Sequence, residues 1–251
     1  MAAAFAHLSL AQLALVAAAA LFASVVGGVA GYGTGLLLPL VLVPIIGPEP
    51  VVPVMAIAAL LINASRVTAF RAAIDKRRTL IVLATAIPAC VVGAWFYTRL
   101  SAAGAQLVIG AFLLLSVPLR RFLQSRGFRL GEGGLAAGGV GFGAISGTAP
   151  GTGVILISML MASGLVGAGV IATDAAISVV VHLVQTLVFG VAGVLDIKVV
   201  AVAALIGLCS VPGAFLARRI VDRLPLRLHA WLLDAVVLAG GAMMVAGVLA
   251  G

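Results

Sequence analysis

The sequence predicts an all-α polytopic membrane protein made of two inverted repeats, each a glycine-broken helical hairpin followed by three transmembrane helices. Three observations lead there. The 251-residue chain is 64% hydrophobic and 9% charged, with a mean hydropathy of +1.32. That is more apolar surface than a water-soluble domain can hide. The apolar residues fall into runs near the roughly 20 residues that cross a bilayer. Finally, Gly33-Thr34-Gly35 returns as Gly151-Thr152-Gly153, each opening an apolar run. Glycine breaks at matching places in two halves of a membrane protein point to a transporter's binding site.

The apolar segments are 10–31, 33–46, 51–70, 79–98, 104–120, 133–148, 151–163, 168–191, 198–217 and 228–250. The first carries no Lys or Arg, the earliest being Arg66, so it lacks the basic region of a cleaved signal peptide and is expected to be retained. Segments 33–46, 133–148 and 151–163 are short for a full crossing, so 10–31 with 33–46 and 133–148 with 151–163 read as broken hairpins. The three long segments after each hairpin complete repeat 1 (about 10–121) and repeat 2 (about 132–250) of one transmembrane domain. The repeats align at an offset of about 118–120, which also matches Gly93-Ala94 with Gly213-Ala214 and sets Asn63 and Arg66 opposite His182 and Gln185. Cys90 and Cys209 lie in apolar runs, so they imply no disulfide framework.

Charge placement sets the sidedness. The loops 71–79, 120–132 and 218–227 hold four basic residues each, whereas the intervening loops offer only Arg99 and Lys198. Placing the rich loops in the cytoplasm leaves both termini extracytoplasmic in the inner cell membrane and makes the repeats inverted. Counting each broken pair as one crossing instead gives eight spans and parallel repeats, and exports the arginines of 218–227, which the charge rule disfavours. The net charge of +8 does not indicate nucleic acid, because the basic residues sit in short loops rather than on one face. They read as topology signals beside anionic lipids.

Polar residues inside apolar runs carry the functional reading. Arg66, four residues before a basic loop, either snorkels to the headgroups or stands as a fixed cation drawing an anion into the core; Asn63 shares its helix face. Asp174, Ser178, His182 and Gln185 form a stripe on one face of segment 168–191, which should meet protein or a watery cavity. For this stripe, interhelical hydrogen bonding stands beside a cavity-wall role, with His182 as a contact or proton-coupling group. Thr34, Ser146, Thr148 and Thr152 border the breaks, where hydroxyls cap half-helices or join exposed N–H groups in holding oxyanion oxygens. The expected anion donors are the backbones of Gly33, Thr34 and Gly35 and of Gly151, Thr152 and Gly153, with Arg66 as charge and Asn63, His182 and Gln185 as polar wall.

The stretch GGVAGYGTGLLLPLVL (Gly27–Leu42) resembles the opening motif of the TauE/SafE family of membrane transporters, the sulfite exporters, through Gly31, Gly33, Gly35 and Pro39. The second copy, Gly141–Leu160, resembles it through Gly147, Gly151 and Gly153, with Ile157-Ser158 in place of the later proline. The connections Phe70–Arg78 and Gly190–Val200 are similar to the family's Gly-x-Val-Asp turn, with Asp75 and Asp196 as the matching acids. Gly-Thr-Gly replaces the commoner triple glycine. The resemblance implies export or uptake of small anions such as sulfite, sulfonates or other organosulfur acids.

The expected function is therefore a secondary transporter of a small anion, working by alternating access. A coupling ion, proton or sodium, and assembly as a homo-oligomer are compatible with that reading. It involves no cofactor, no metal and no nucleic acid. No Walker A signature appears, and the three histidines lie scattered over different segments, so an intramembrane enzyme has no clustered acid–base or metal set to work with. A passive anion channel, or a membrane subunit of a larger complex, remains the alternative.

Overall fold

The computed structural model describes residues 8–30, 34–125, 129–220 and 226–250. Among them are ten α-helices: α1 (Leu10–Ala30), α2 (Thr34–Ile46), α3 (Val51–Phe70), α4 (Lys76–Tyr97), α5 (Ala102–Ser125), α6 (Glu132–Thr148), α7 (Gly153–Ala162), α8 (Ala168–Val191), α9 (Ile197–Ile220) and α10 (Leu226–Ala250). Each expected apolar segment is one helix, and the described residues contain no strand. The helices α3, α4, α5 and α8 are long and apolar enough to cross a bilayer, while α2 and α7 are shorter.

Helix ends reach past the apolar runs, for reasons hydropathy cannot register. The fourth helix begins at Lys76 rather than at 79, because Asp75 caps it: its carboxylate accepts from the Arg78 N–H at 2.9 Å. In the matching connection Asp196 accepts from the Val199 N–H at 2.8 Å and starts α9. The two acids of the expected turns are thus helix caps. The Arg78 N–H, then its guanidinium, hold the Asp75 carboxyl below the usual carboxylate range. A lowered carboxylate stabilises the fold at neutral pH, and that contribution is lost as pH falls through the depressed value. The fifth helix runs on to Ser125 instead of ending at 120.

That extension changes the reading of one basic loop. Arg120 and Arg121 are helical, and both reach Asp234 of α10, at 2.5 Å and 2.9 Å. Arg120 and Asp234 are each 5% exposed, so this is a buried ion pair joining the end of α5 to the start of α10. Two further arginines gather the neighbouring connections at the same end of the molecule. Arg77 pairs with Glu132 at the start of α6, and Arg78 donates to the hydroxyl and carbonyl oxygens of Ser163 after α7. At the opposite end the Tyr97 hydroxyl donates to the Pro48 carbonyl at 2.8 Å.

The second hairpin is closed at its base, where the Leu130 N–H donates to the Ala162 carbonyl at 2.8 Å. Chain therefore enters at 130, turns back at 149–152 and returns to the same end. Helix pairing is interchangeable between α1–α5 and α6–α10. α4 packs on α6 as α9 packs on α1, α4 on α8 as α9 on α3, and α5 on α7 as α10 on α2, while α3 pairs with α8 and α5 with α10.

Close packing of α6 on α4 comes from glycines at every fourth position. A Cβ at Gly143 would lie 2.7 Å from the Ala86 Cα, and one at Gly147 would lie 2.7 Å from the Cys90 carbonyl oxygen. Gly139 is likewise pressed on Thr85. Small residues at such spacing let membrane helices approach backbone to backbone. The polarity of the packed body is inverted relative to a soluble protein. Leu80, Val92, Leu187, Leu208 and Met243 are exposed, while Asn63, Asp174, Ser178 and Gln185 are buried.

Gly143→Val is therefore expected to destabilise the protein by about 2 kcal/mol or more, since backbone atoms cannot yield to the added methyls. Gly141→Val, on the same helix with open space around its Cβ, is expected to leave the melting temperature near wild type. Thermal melts of the two purified variants check this.

Candidate functional site: a central cavity at the glycine breaks

The two chain breaks meet. Gly151 has φ +89°, a left-handed conformation that L side chains rarely adopt. A Cβ there would also lie 2.9 Å from the Gly35 carbonyl carbon and 2.7 Å from a Leu36 methyl. A Cβ at Gly35 would lie 2.6 Å from the Gly151 nitrogen. The start of α2 and the turn before α7 are thus in backbone contact, and neither position accepts a side chain.

A cavity of about 100 Å³ adjoins this contact. That is room for a few water molecules or one small anion. Its walls come from four places. Thr34 and Gly35 open α2, and 149–153 supplies Ala149 through Gly153. From α3 come Asn63 and Arg66 with an apolar strip that includes Met55 and Ile62. From α8 come Asp174, Ser178, His182 and Gln185. The cavity thus brings together Thr34, Gly35, Asn63, Arg66, Gly151, Thr152, Gly153, His182 and Gln185; Gly33 lies outside the described residues. Asp174 and Ser178 belong to the same wall although they were not among the expected contact residues. Their signal was the four-residue spacing of the stripe, and Asp174 sits inside the cavity rather than at the helix end.

Hydrogen bonds fix the α8 wall. The Gln185 amide Nε2 donates to the Ser146 carbonyl at 2.8 Å, across to α6. Its Oε1 then faces His182 Nδ1 at 3.0 Å. Because an amide oxygen only accepts, Nδ1 carries a hydrogen. Gln185 therefore serves the interhelical bonding role and the wall role together. Ser146 and Thr152 join hydroxyl to hydroxyl at 2.7 Å across the second break, so Thr152 does not cap α7 through its side chain. The Thr34 hydroxyl donates to the Ala23 carbonyl at 3.2 Å, tying α2 to α1. Thr148 turns back on the Ile145 carbonyl of its own helix. The hydroxyls bordering the breaks bond sideways or backward, and the first N–H groups of α7 are left without a side-chain cap.

The charges in the cavity are Arg66 from α3 and Asp174 from α8. Asp174 is 4% exposed, and its Oδ1 makes no hydrogen bond. Among the described residues neither Arg66 nor Asp174 is in an ion pair. One amide hydrogen of Asn63 is spent on the Ala59 carbonyl at 2.9 Å. Cys90 is buried against the Val181 carbonyl at 3.8 Å, and Cys209 is half-buried. The described residues hold no cluster of His, Cys, Asp and Glu fit for a metal ion.

Comparison with known proteins bears on what these helices do. The family described as Sulfite exporter TauE/SafE matches residues 16–244, which takes in both breaks and all four walls of the cavity. No curated protein and no solved structure matches the chain. The match spans nearly the whole sequence, and with the apolar helices it makes the protein a multi-pass membrane transporter: the chain belongs to the sulfite exporter TauE/SafE family.

Proposed function

We propose that the protein is a secondary transporter of a small sulfur-containing oxyanion, sulfite or an organic sulfonate, bound in the cavity beside the Gly35–Gly151 contact and moved by alternating access. The observation that carries this is the convergence there of a cation, Arg66, with the uncapped start of α7 at Gly151–Gly153. A helix start offers N–H groups and a positive dipole end to an anion. Thr34 and Gly35 present the equivalent start of α2. Asn63, His182 and Gln185 complete the polar wall, Asn63 with the amide hydrogen that is not spent on Ala59.

In this reading residues 10–121 and 132–250 are inverted repeats of one transmembrane domain. The interchangeable helix pairing supports the duplication, and the meeting of 71–79 with 132 and 163 at one end is consistent with the inversion. The end with 71–79 and 130–132 then faces the cytoplasm, both termini face outward, and the membrane is the inner cell membrane. Alternating access would be a rocking of the hairpins against the long helices around the fixed contact. A homo-oligomer is compatible with this arrangement.

For transport, purified protein alone in liposomes should accumulate sulfite or methanesulfonate against a gradient. Accumulation separates a coupled transporter from a passive channel, which would only equilibrate the anion. Arg66→Gln is expected to weaken binding by roughly 10–100-fold, the effect of losing a charge-assisted hydrogen bond. Gly151→Val should abolish uptake while Gly141→Val retains it. Equilibration without accumulation, or normal uptake by Gly151→Val, contradicts the reading.

Orientation is checked by single cysteines at Ala102 and Gly133 in a background lacking Cys90 and Cys209. An impermeant thiol reagent added to intact cells should label the first and not the second. The reverse pattern inverts the assignment.

A further inference from the structure

We propose that Asp174 is the proton-coupling site of this cavity: it is a carboxylate when the cavity is empty and takes up one proton when an anion binds. The inference rests on the anion reading above and adds the coupling ion and its residue. It starts from the isolation of Asp174, which is 4% exposed with an Oδ1 that makes no hydrogen bond. A buried carboxylate is ordinarily paired or hydrogen-bonded. Here the one cation across the cavity is Arg66, which stands outside ion-pair distance.

Charge balance gives the reason for the coupling. In the empty cavity Arg66 and the Asp174 carboxylate sum to zero. A bound monoanion beside an ionised Asp174 would leave the site with a net negative charge inside a low-dielectric body, which is costly. Transfer of one proton from water to Asp174 Oδ1, converting COO⁻ to COOH, restores neutrality and removes the repulsion. Empty and loaded carriers are then both neutral, so both can change access, whereas the half-loaded forms are disfavoured. That is the condition for strict proton–anion symport.

Of the other described groups facing α8, His182 is the rival proton acceptor: its Nδ1 is bonded to Gln185 and its Nε2 is open, and the His182→Gln variant below separates it from Asp174. From α3 comes Arg66, and from the 3-10 turn at 71–73 the exposed Arg71. On α4, Arg78 is paired with Asp75, Arg77 with Glu132 of α6, and Lys76 is at the helix start. Cys90 contacts Val181, Tyr97 meets Phe189 edge-to-face at the far end, and α7 carries no titratable side chain.

Methanesulfonate is the probe, because it stays a monoanion from pH 5 to 8 and any pH dependence belongs to the protein. Its affinity for the wild type should fall by up to about tenfold per pH unit as pH rises through the coupled range, the limit for one linked proton. Adding it to weakly buffered wild-type protein at pH 8 should draw up to one proton per chain from solution, a readout that needs no variant. Asp174→Asn should bind at every pH about as well as the wild type does in acid, with no proton uptake, and His182→Gln should keep the pH dependence. Wild-type binding that is independent of pH, or a pH dependence that survives in Asp174→Asn or disappears in His182→Gln, overturns the Asp174 assignment while leaving the anion site standing. Absence of binding by the wild type at any pH overturns the anion reading and this proposal together.

Discussion

The contact of Gly35 with Gly151 is the constraint on which the rest of the structure depends. Two backbones from different halves touch at positions where neither admits a Cβ, and one of them holds a positive φ. With α2 and α7 fixed nose to nose, α1 and α6 must fall away behind them. The glycine-lined seam between α4 and α6, and the α1–α9 packing in which Gly213 meets Ser24, then seat each hairpin against a long helix of the other half. The helices α3 and α8 are left to line the space beside the contact, which is how Arg66 and Asp174 come to face one cavity.

Polarity follows from the solvent. A bilayer satisfies no backbone group and rewards no buried leucine over an exposed one. The broken backbone at 149–152 is accordingly enclosed: Ala149 is 2% exposed and Thr152 3%. The polar side chains near it bond to each other, as Ser146 does to Thr152 and Gln185 to the Ser146 carbonyl. Even the buried Arg120–Asp234 pair obeys this economy, since each charge finds its partner on the neighbouring helix. The cavity charges are the exception, and exceptions of that kind in membrane proteins are where ions and substrates are handled.

Much of this was legible in the sequence. The duplicated Gly-Thr-Gly located the contact, hydropathy located all ten helices, and the helical spacing of three and four residues from Asp174 to Gln185 located the α8 wall. What stayed hidden has identifiable causes. Helix ends at Lys76 and Ser125 depend on a capping carboxylate and on an ion pair more than 100 residues away in sequence, which no hydropathy window contains. The hydroxyls of Thr34 and Thr152 sit at helix starts, where capping is the local expectation, yet tertiary partners take them instead. Asp174 lies six residues after the start of its segment, and the stripe's spacing alone did not tell a cavity position from an interhelical one. The α6 glycines at 139, 143 and 147 were visible as residues, but their partners on α4 were not.

The central claim is that a small sulfur oxyanion sits between Arg66 and the start of α7. It is tested most directly by locating one. Crystals grown with 2-bromoethanesulfonate, at a concentration that saturates its thermal stabilisation of the protein, would carry a bromine visible by anomalous scattering. The account predicts a single strong peak in the cavity, with the sulfonate oxygens toward Arg66 and the Gly151–Gly153 N–H groups. A peak at the membrane-facing surface or at the basic end of the molecule, with none in the cavity, would contradict it.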